Sequence, residues 1–202
     1  MNKKIKQSST ALLAAMVLVC SPAFAEQEAY RIDDTHSFAN WSLRHVASKT
    51  SGTFSDIRGN ILLDKDNLAN SSIDVKINML SVNSSHAKRD KHIKEADYLD
   101  TDKFAEMTFV SKKIVATSAI EGVMTGILTM HGVSKEMTFP FKVLGFGEDP
   151  WGGYRTGFEA HTSLKASDFG FGWGSKPNAP VGDDIEITLL IEGVKLPVKP
   201  IK

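Results

Sequence analysis

Between Ile73 and Met79 every second side chain is apolar, and the intervening Asp74, Lys76 and Asn78 are polar. A period of two puts the two sets on opposite faces of an extended strand, one toward a core and the other toward water. The pattern recurs along the chain. Ala39, Trp41, Leu43 and His45 share one side of a run whose other side is Asn40, Ser42 and Arg44. Ile61 and Leu63, Met107 and Phe109, then Met124, Gly126, Leu128 and Met130, then Met137, Phe139 and Phe141 continue it, before residues 155–164 and 185–191. Gly, Asn, Asp and Ser separate the runs, so the spacing predicts roughly eight antiparallel strands with one buried face. A sheet of that size has to close or stack, and the alternation alone leaves barrel and sandwich both open.

Two stretches depart from the rule. His86 to Lys94 lacks the alternation and is rich in Lys, with Ala and Arg beside it, which predicts one short helix. Residues 169–184 form a long connection rich in Gly and Pro that carries Phe169, Phe171 and Trp173, and aromatics on such a loop suggest a lid or a rim.

Ahead of the strands, residues 1–25 combine three lysines, an apolar run from Ala11 to Cys20 and an Ala23-Phe24-Ala25 exit. This is the layout of a secretory signal peptide cut after Ala25, and its apolar run is too short to span a bilayer. Bulky Val19 before Cys20 argues against lipoprotein processing. The remaining 177 residues suit one domain, assigned to residues 26–194, followed by an extended tail over 195–202 with two prolines and three lysines. That domain holds no apolar stretch long enough for a membrane span. With the leader removed, 21 basic residues face 24 acidic ones and no basic stripe appears, which argues against nucleic acid. The single cysteine leaves with the leader, so no disulfide, thiol nucleophile or thiolate metal site is expected.

Candidate chemistry is sparse. His86 and His92, with Asp90 and Asp97 nearby, are the densest ionisable cluster, but a separation of six turns the second histidine roughly 240° away around a helix. His36, His45, His131 and His161 are scattered over different runs, and no Gly-x-Ser-x-Gly turn is present. No catalytic residue, metal or cofactor is therefore assigned. Arg89 with Lys88, Lys91 and Lys94 reads either as a solvated helix face or as a basic helix end that meets an anionic headgroup. Gly122, Gly126, Ser111 and Ala160, interleaved with bulky neighbours, are small enough to leave room inside a closed barrel.

Several short motifs in order carry a resemblance. Tyr30-Arg-Ile-Asp33-Asp-Thr-His36-Ser37 leads through Trp41 and His45 to Gly52-Thr-Phe54. Arg89-Asp90-Lys-His92-Ile93 precedes Asp97-Tyr98-Leu-Asp100, and then come residues 104–111, His131-Gly132-Val133, Asp168-Phe169-Gly170 and a last strand over 183–192. Over nearly all of the mature chain this resembles the YceI-like exported proteins. Ala105, where that family usually has proline, and Ala166, where an arginine commonly precedes the Asp-Phe-Gly stretch, depart from it.

The resemblance implies an all-β, mainly antiparallel, eight-stranded lipocalin-like barrel with one short helix, which binds polyisoprenoid or other long amphiphilic lipids in the periplasm. The expected ligand is an isoprenoid of quinone or polyprenyl type, or a fatty-acid-type lipid; a homodimer is left open. Parity within the runs nominates Trp41, Leu43, Ile61, Ile73, Val75, Ile77, Phe109, Met124, Phe139 and Phe158 as lining residues. The alternatives are a structural or stress-protective protein with a filled barrel, and an enzyme acting on an amphiphile with His45 or His92 as base.

Overall fold

The computed structural model describes residues 27–197 except 177; the leader and the last part of the expected tail lie outside the described residues. The first half of the chain forms β1 (Glu28–Ile32), β2 (Phe38–His45), β3 (Ser48–Phe54), β4 (Ile57–Leu63), β5 (Ser72–Asn78) and β6 (Val82–Asn83). After α1 (Ala87–Ile93) come β7 (Glu106–Ala116), β8 (Glu121–Met130), β9 (Val133–Glu148), β10 (Tyr154–Lys165) and β11 (Val181–Lys195).

These eleven segments are eight long strands, three of which bend. β1 with β2, and β3 with β4, are the two arms of one hairpin, in which Tyr30 faces Ile61 before the bend and Ala39 faces Phe54 after it. β5 and β6 follow the same neighbours, pairing with β4 and β3 in turn. Two of the bends show a local cause. In the first, Asp33 accepts hydrogen bonds from the Thr35 amide and hydroxyl, folding residues 33–36 into an Asx turn. Ser37 then ties the bend to the Glu192 amide at 3.0 Å. Between β5 and β6 the Asn78 side chain caps a 3₁₀ turn over Met79–Ser81.

Closure follows from β11, which is long enough to serve two neighbours. Its first part pairs with β2 from Val181 to Leu190, and its last residues pair with β1, Lys195 opposite Tyr30. With β4, β5, β7, β8, β9 and β10 in antiparallel succession, the result is an eight-stranded closed meander. The inward face carries the core, including Ile57, Leu63, Val75, Met124, Phe139 and Phe141. β11 reaches Lys195, so the barrel runs one residue past the boundary expected from the sequence, and the Leu196 amide still bonds to Ala29.

The two ends differ. At the base, where β1 starts and β11 stops, Glu28 accepts hydrogen bonds from Tyr30 Oη at 2.5 Å and Lys195 Nζ at 2.6 Å, with Lys65 Nζ at 2.8 Å. Burial pushes the Glu28 carboxyl up, and the bonds from Lys195, Lys65 and Tyr30 more than reverse that, holding it at about 2. Beside it Arg155 binds Asp33 and Glu192 through Nη1 and Asp149 through Nε at 2.7 Å. These partners raise the guanidinium further above its already high ordinary value. At the opposite end, the mouth, α1 lies near the ends of β6 and β11, and His86 caps it by accepting from the Arg89 amide.

Candidate functional site

Two adjoining chambers occupy the interior. The deep one has a volume of about 150 Å³ and is walled by inward residues of nearly every strand, from Leu63 near the base to Met107. The second, of about 220 Å³, lies under α1 and the connection between β10 and β11. Trp41, Phe54, Met107 and Ile187 belong to both walls, so the chambers meet at one waist. Together they reach the range of roughly 300–1,000 Å³ in which small-molecule sites fall.

The structure puts Ile61, Ile73, Val75, Ile77, Phe109, Met124, Phe139 and Phe158 in the wall of the deep chamber. Leu43 lines the mouth chamber, and Trp41 stands at the waist. Further lining residues, such as Leu128, Phe141, Ile187 and Leu189, share the inward parity of their own strands and were within reach of the same reasoning. The mouth is different: Ile93, Tyr98, Phe171 and Trp173 come from a helix and loops that have no strand period to place them.

Small residues do not create the deep space in the expected way. An added Cβ on Gly126 would sit 2.4 Å from Phe109 Cζ, and one on Gly122 would sit 2.8 Å from Phe141 Cε1. Rings from neighbouring strands therefore lie over both glycines and use up the volume a side chain would have taken. Trp41 lies over Gly52 in the same manner. Ser111 is also spent elsewhere, its Oγ accepting from the Ile73 amide at 2.9 Å. Ala160 alone of the four lines the chamber.

The mouth is roofed by a continuous series of rings. His92 meets Tyr98 edge-on at 4.7 Å between centroids, and Tyr98 meets Trp173 at 5.3 Å. Trp173 stacks on Phe171 at 4.5 Å, Phe171 meets His131 at 4.5 Å, and His131 meets Phe104 at 4.3 Å. His131 and Gly132 make the tight turn between β8 and β9, both at positive φ, which lets that turn carry a ring into the series. Of the three loop aromatics expected at the rim, Phe171 and Trp173 are there. Phe169 is instead buried in the core, at the end of a 3₁₀ turn over Ala166–Phe169 that Gly170 closes in the left-handed conformation.

Ionisable groups near the interior are few. His86 and His92 lie on opposite sides of α1, His86 as its cap and His92 at the mouth chamber, which His45 also reaches. Among the described residues neither His45 nor His92 has a carboxylate partner of the kind that would orient a base. Arg89 faces the mouth as well, giving Nε to Ser84 Oγ at 2.7 Å and Nη2 to the Ser84 carbonyl at 2.5 Å. Asp33, His36 and Glu192 bring ligand atoms within 4.8 Å of one another at the base, but both carboxylates already bind Arg155. Among the described residues no helix is long and apolar enough to cross a membrane.

A closed eight-stranded antiparallel barrel around an apolar chamber defines a lipocalin-like architecture, in which the interior and not a surface cleft is the natural place for a ligand. The YceI-like domain matches residues 30–193, and the chain belongs to that family. It is 37% identical to a UPF0312 protein of Ectopseudomonas mendocina over 192 residues, covering 95% of this chain and 99% of that one. Burkholderia cenocepacia BcnA has the same fold, with a TM-score of 0.72 at 22% identity over 80% of this chain and 98% of its own. So does a polyisoprenoid binding domain from Saccharophagus degradans, with a TM-score of 0.63 at 17% identity over 84% of this chain and 99% of that one.

Proposed function

We propose that the protein is an exported carrier that holds the chain of an isoprenoid or related long amphiphile, tail first, in its barrel, and works in the periplasm after loss of residues 1–25. The observation that carries this reading is the pair of adjoining chambers whose walls are apolar from Leu63 at the base to Trp173 at the mouth. An apolar chamber gives water too few hydrogen-bond partners, so its natural occupant is a hydrocarbon. A chain that buries roughly 300 Å² gains about 7 kcal/mol before the costs of association are subtracted. The polyisoprenoid binding domain with the same fold agrees with this choice of ligand. Holding a chain needs no reacting group, and the ten parity-selected residues act here as a wall.

The mature protein, purified from its native host, is to be weighed intact under non-denaturing conditions and then extracted with organic solvent. A stoichiometric isoprenoid or acyl lipid is the expected result. A clean protein mass that persists after incubation with quinones and polyprenyl lipids would overturn the carrier and favour a structural barrel.

A further inference from the structure

Two donors at the mouth chamber have nothing to donate to. Nε1 of Trp41 and Nε1 of Trp173 are both buried and lack a hydrogen-bond partner, the only such side-chain atoms among the described residues. A buried N–H left unpaired is costly, and buried tryptophans ordinarily find an acceptor. The two indoles hold different positions: Trp41 stands at the waist and Trp173 in the ring series of the roof. No Lys, Asp or Glu lines this chamber, its two imidazoles, His45 and His92, are exposed at the rim, and the single guanidinium there, Arg89, is engaged. Ser84 accepts its Nε and Nη2, and the same serine hydrogen-bonds the Asp90 carboxylate, which sets a negative charge beside the cation.

We infer that Trp41 and Trp173 are the headgroup donors of this site, and that they select an uncharged head bearing acceptor oxygens of carbonyl type over a phosphate or a carboxylate. The inference rests on the tail-first reading above. An indole N–H satisfies a neutral oxygen fully but brings no charge to offset the desolvation of an anion. An acceptor at Trp41 sits where the chain leaves for the deep chamber, and one at Trp173 sits under the roof, so both ends of a polar head are held.

Three probes with a common farnesyl chain test this: the hydrocarbon, the methyl ketone farnesylacetone, and farnesyl phosphate. The ketone is expected to bind the intact mature protein roughly tenfold tighter than the hydrocarbon, as one or two neutral hydrogen bonds allow. Trp41→Phe and Trp173→Phe, which keep a ring and remove the N–H, are each expected to lower ketone affinity roughly threefold more than they lower hydrocarbon affinity, so that the advantage of the ketone over the hydrocarbon shrinks. Independently of the variants, the indole N–H resonances of tryptophan-labelled protein report contact directly. Those of Trp41 and Trp173 should move downfield with the ketone, as a new hydrogen bond requires, and by more than with the hydrocarbon, while that of Trp151, 79% exposed, stays in place. If the hydrocarbon binds but the ketone gains nothing, or the phosphate binds tightest, the headgroup assignment fails and chain binding stands. If none of the three binds, the tail-first reading fails and takes this assignment with it.

Discussion

At the base of the barrel Glu28 is gripped by Tyr30, Lys65 and Lys195, and Arg155 by three carboxylates; at the mouth six rings from His92 to Phe104 lean on one another. Charge-assisted hydrogen bonds are directional and strong, and a partly buried ion left without its partner is expensive. Aromatic contacts are worth about 0.5–1.5 kcal/mol each, and rings slide past one another without stranding a charge. The base is therefore the fixed end, and the carrier proposed above would take its ligand through the mouth.

The largest expected effect comes from unpairing the base. Arg155→Met leaves Asp33, Asp149 and Glu192 without their common cation and should cost about 3–5 kcal/mol in chemical denaturation at neutral pH. Probe affinity in the folded fraction should be unaffected, because Arg155 lines neither chamber. A variant of unchanged stability would remove the contrast between the ends.

Acid should attack the same end. Glu28 ionises at about 2 in the folded protein against an ordinary 4.5, so it binds more protons unfolded than folded between those values. Its contribution to stability is full above about 4.5 and is lost as pH falls through 2. Denaturation midpoints measured across that window should fall steeply in the parent, and less steeply in Glu28→Gln, which begins lower.

A side chain at Gly126 sharpens the contrast from inside. Gly126→Val drives into the Phe109 ring and the Val110 carbonyl, the latter only 2.6 Å from the added Cβ, and should cost about 1–3 kcal/mol while weakening chain binding. Trp173→Ala, by comparison, interrupts the roof, losing two ring contacts of about 0.5–1.5 kcal/mol each beyond the area they bury, and faster probe release in stopped-flow is its distinguishing effect. Unchanged release would place the way in elsewhere. The smallest change is a gain. Val46, exposed in the turn between β2 and β3, has φ of 50°, and Val46→Asn should raise stability by under about 1 kcal/mol in thermal melts.

How much of this could be read along the chain depends on how far apart the interacting residues are. Ile73, Val75 and Ile77 show their common face within seven residues, and that face is the chamber wall. Ala87–Ile93 is helical where the alternation stops. The bend after Asn78 was not legible, because Met79 keeps the apolar parity of β5 and is buried although it already belongs to a 3₁₀ turn. Which ring covers Gly126 depends on the register of β7 against β8, which passes through an irregularity between Ser111 and Lys113. The base clusters join residues as distant as Glu28 and Lys195, and the roof joins a helix to two loops, so neither has a local period to betray it.

The pairing of Tyr30 with Lys195 also governs when folding can end. The ring closes between its earliest strand and its latest, so a chain that appears N-terminus first has no complete barrel until nearly all of it is available. Until then the hairpins can form, but the inner faces have no enclosure, and contacts this distant in sequence are slow to make. If residues 1–25 export the chain as proposed, such a topology is a built-in delay: β1 waits for the strand that completes it.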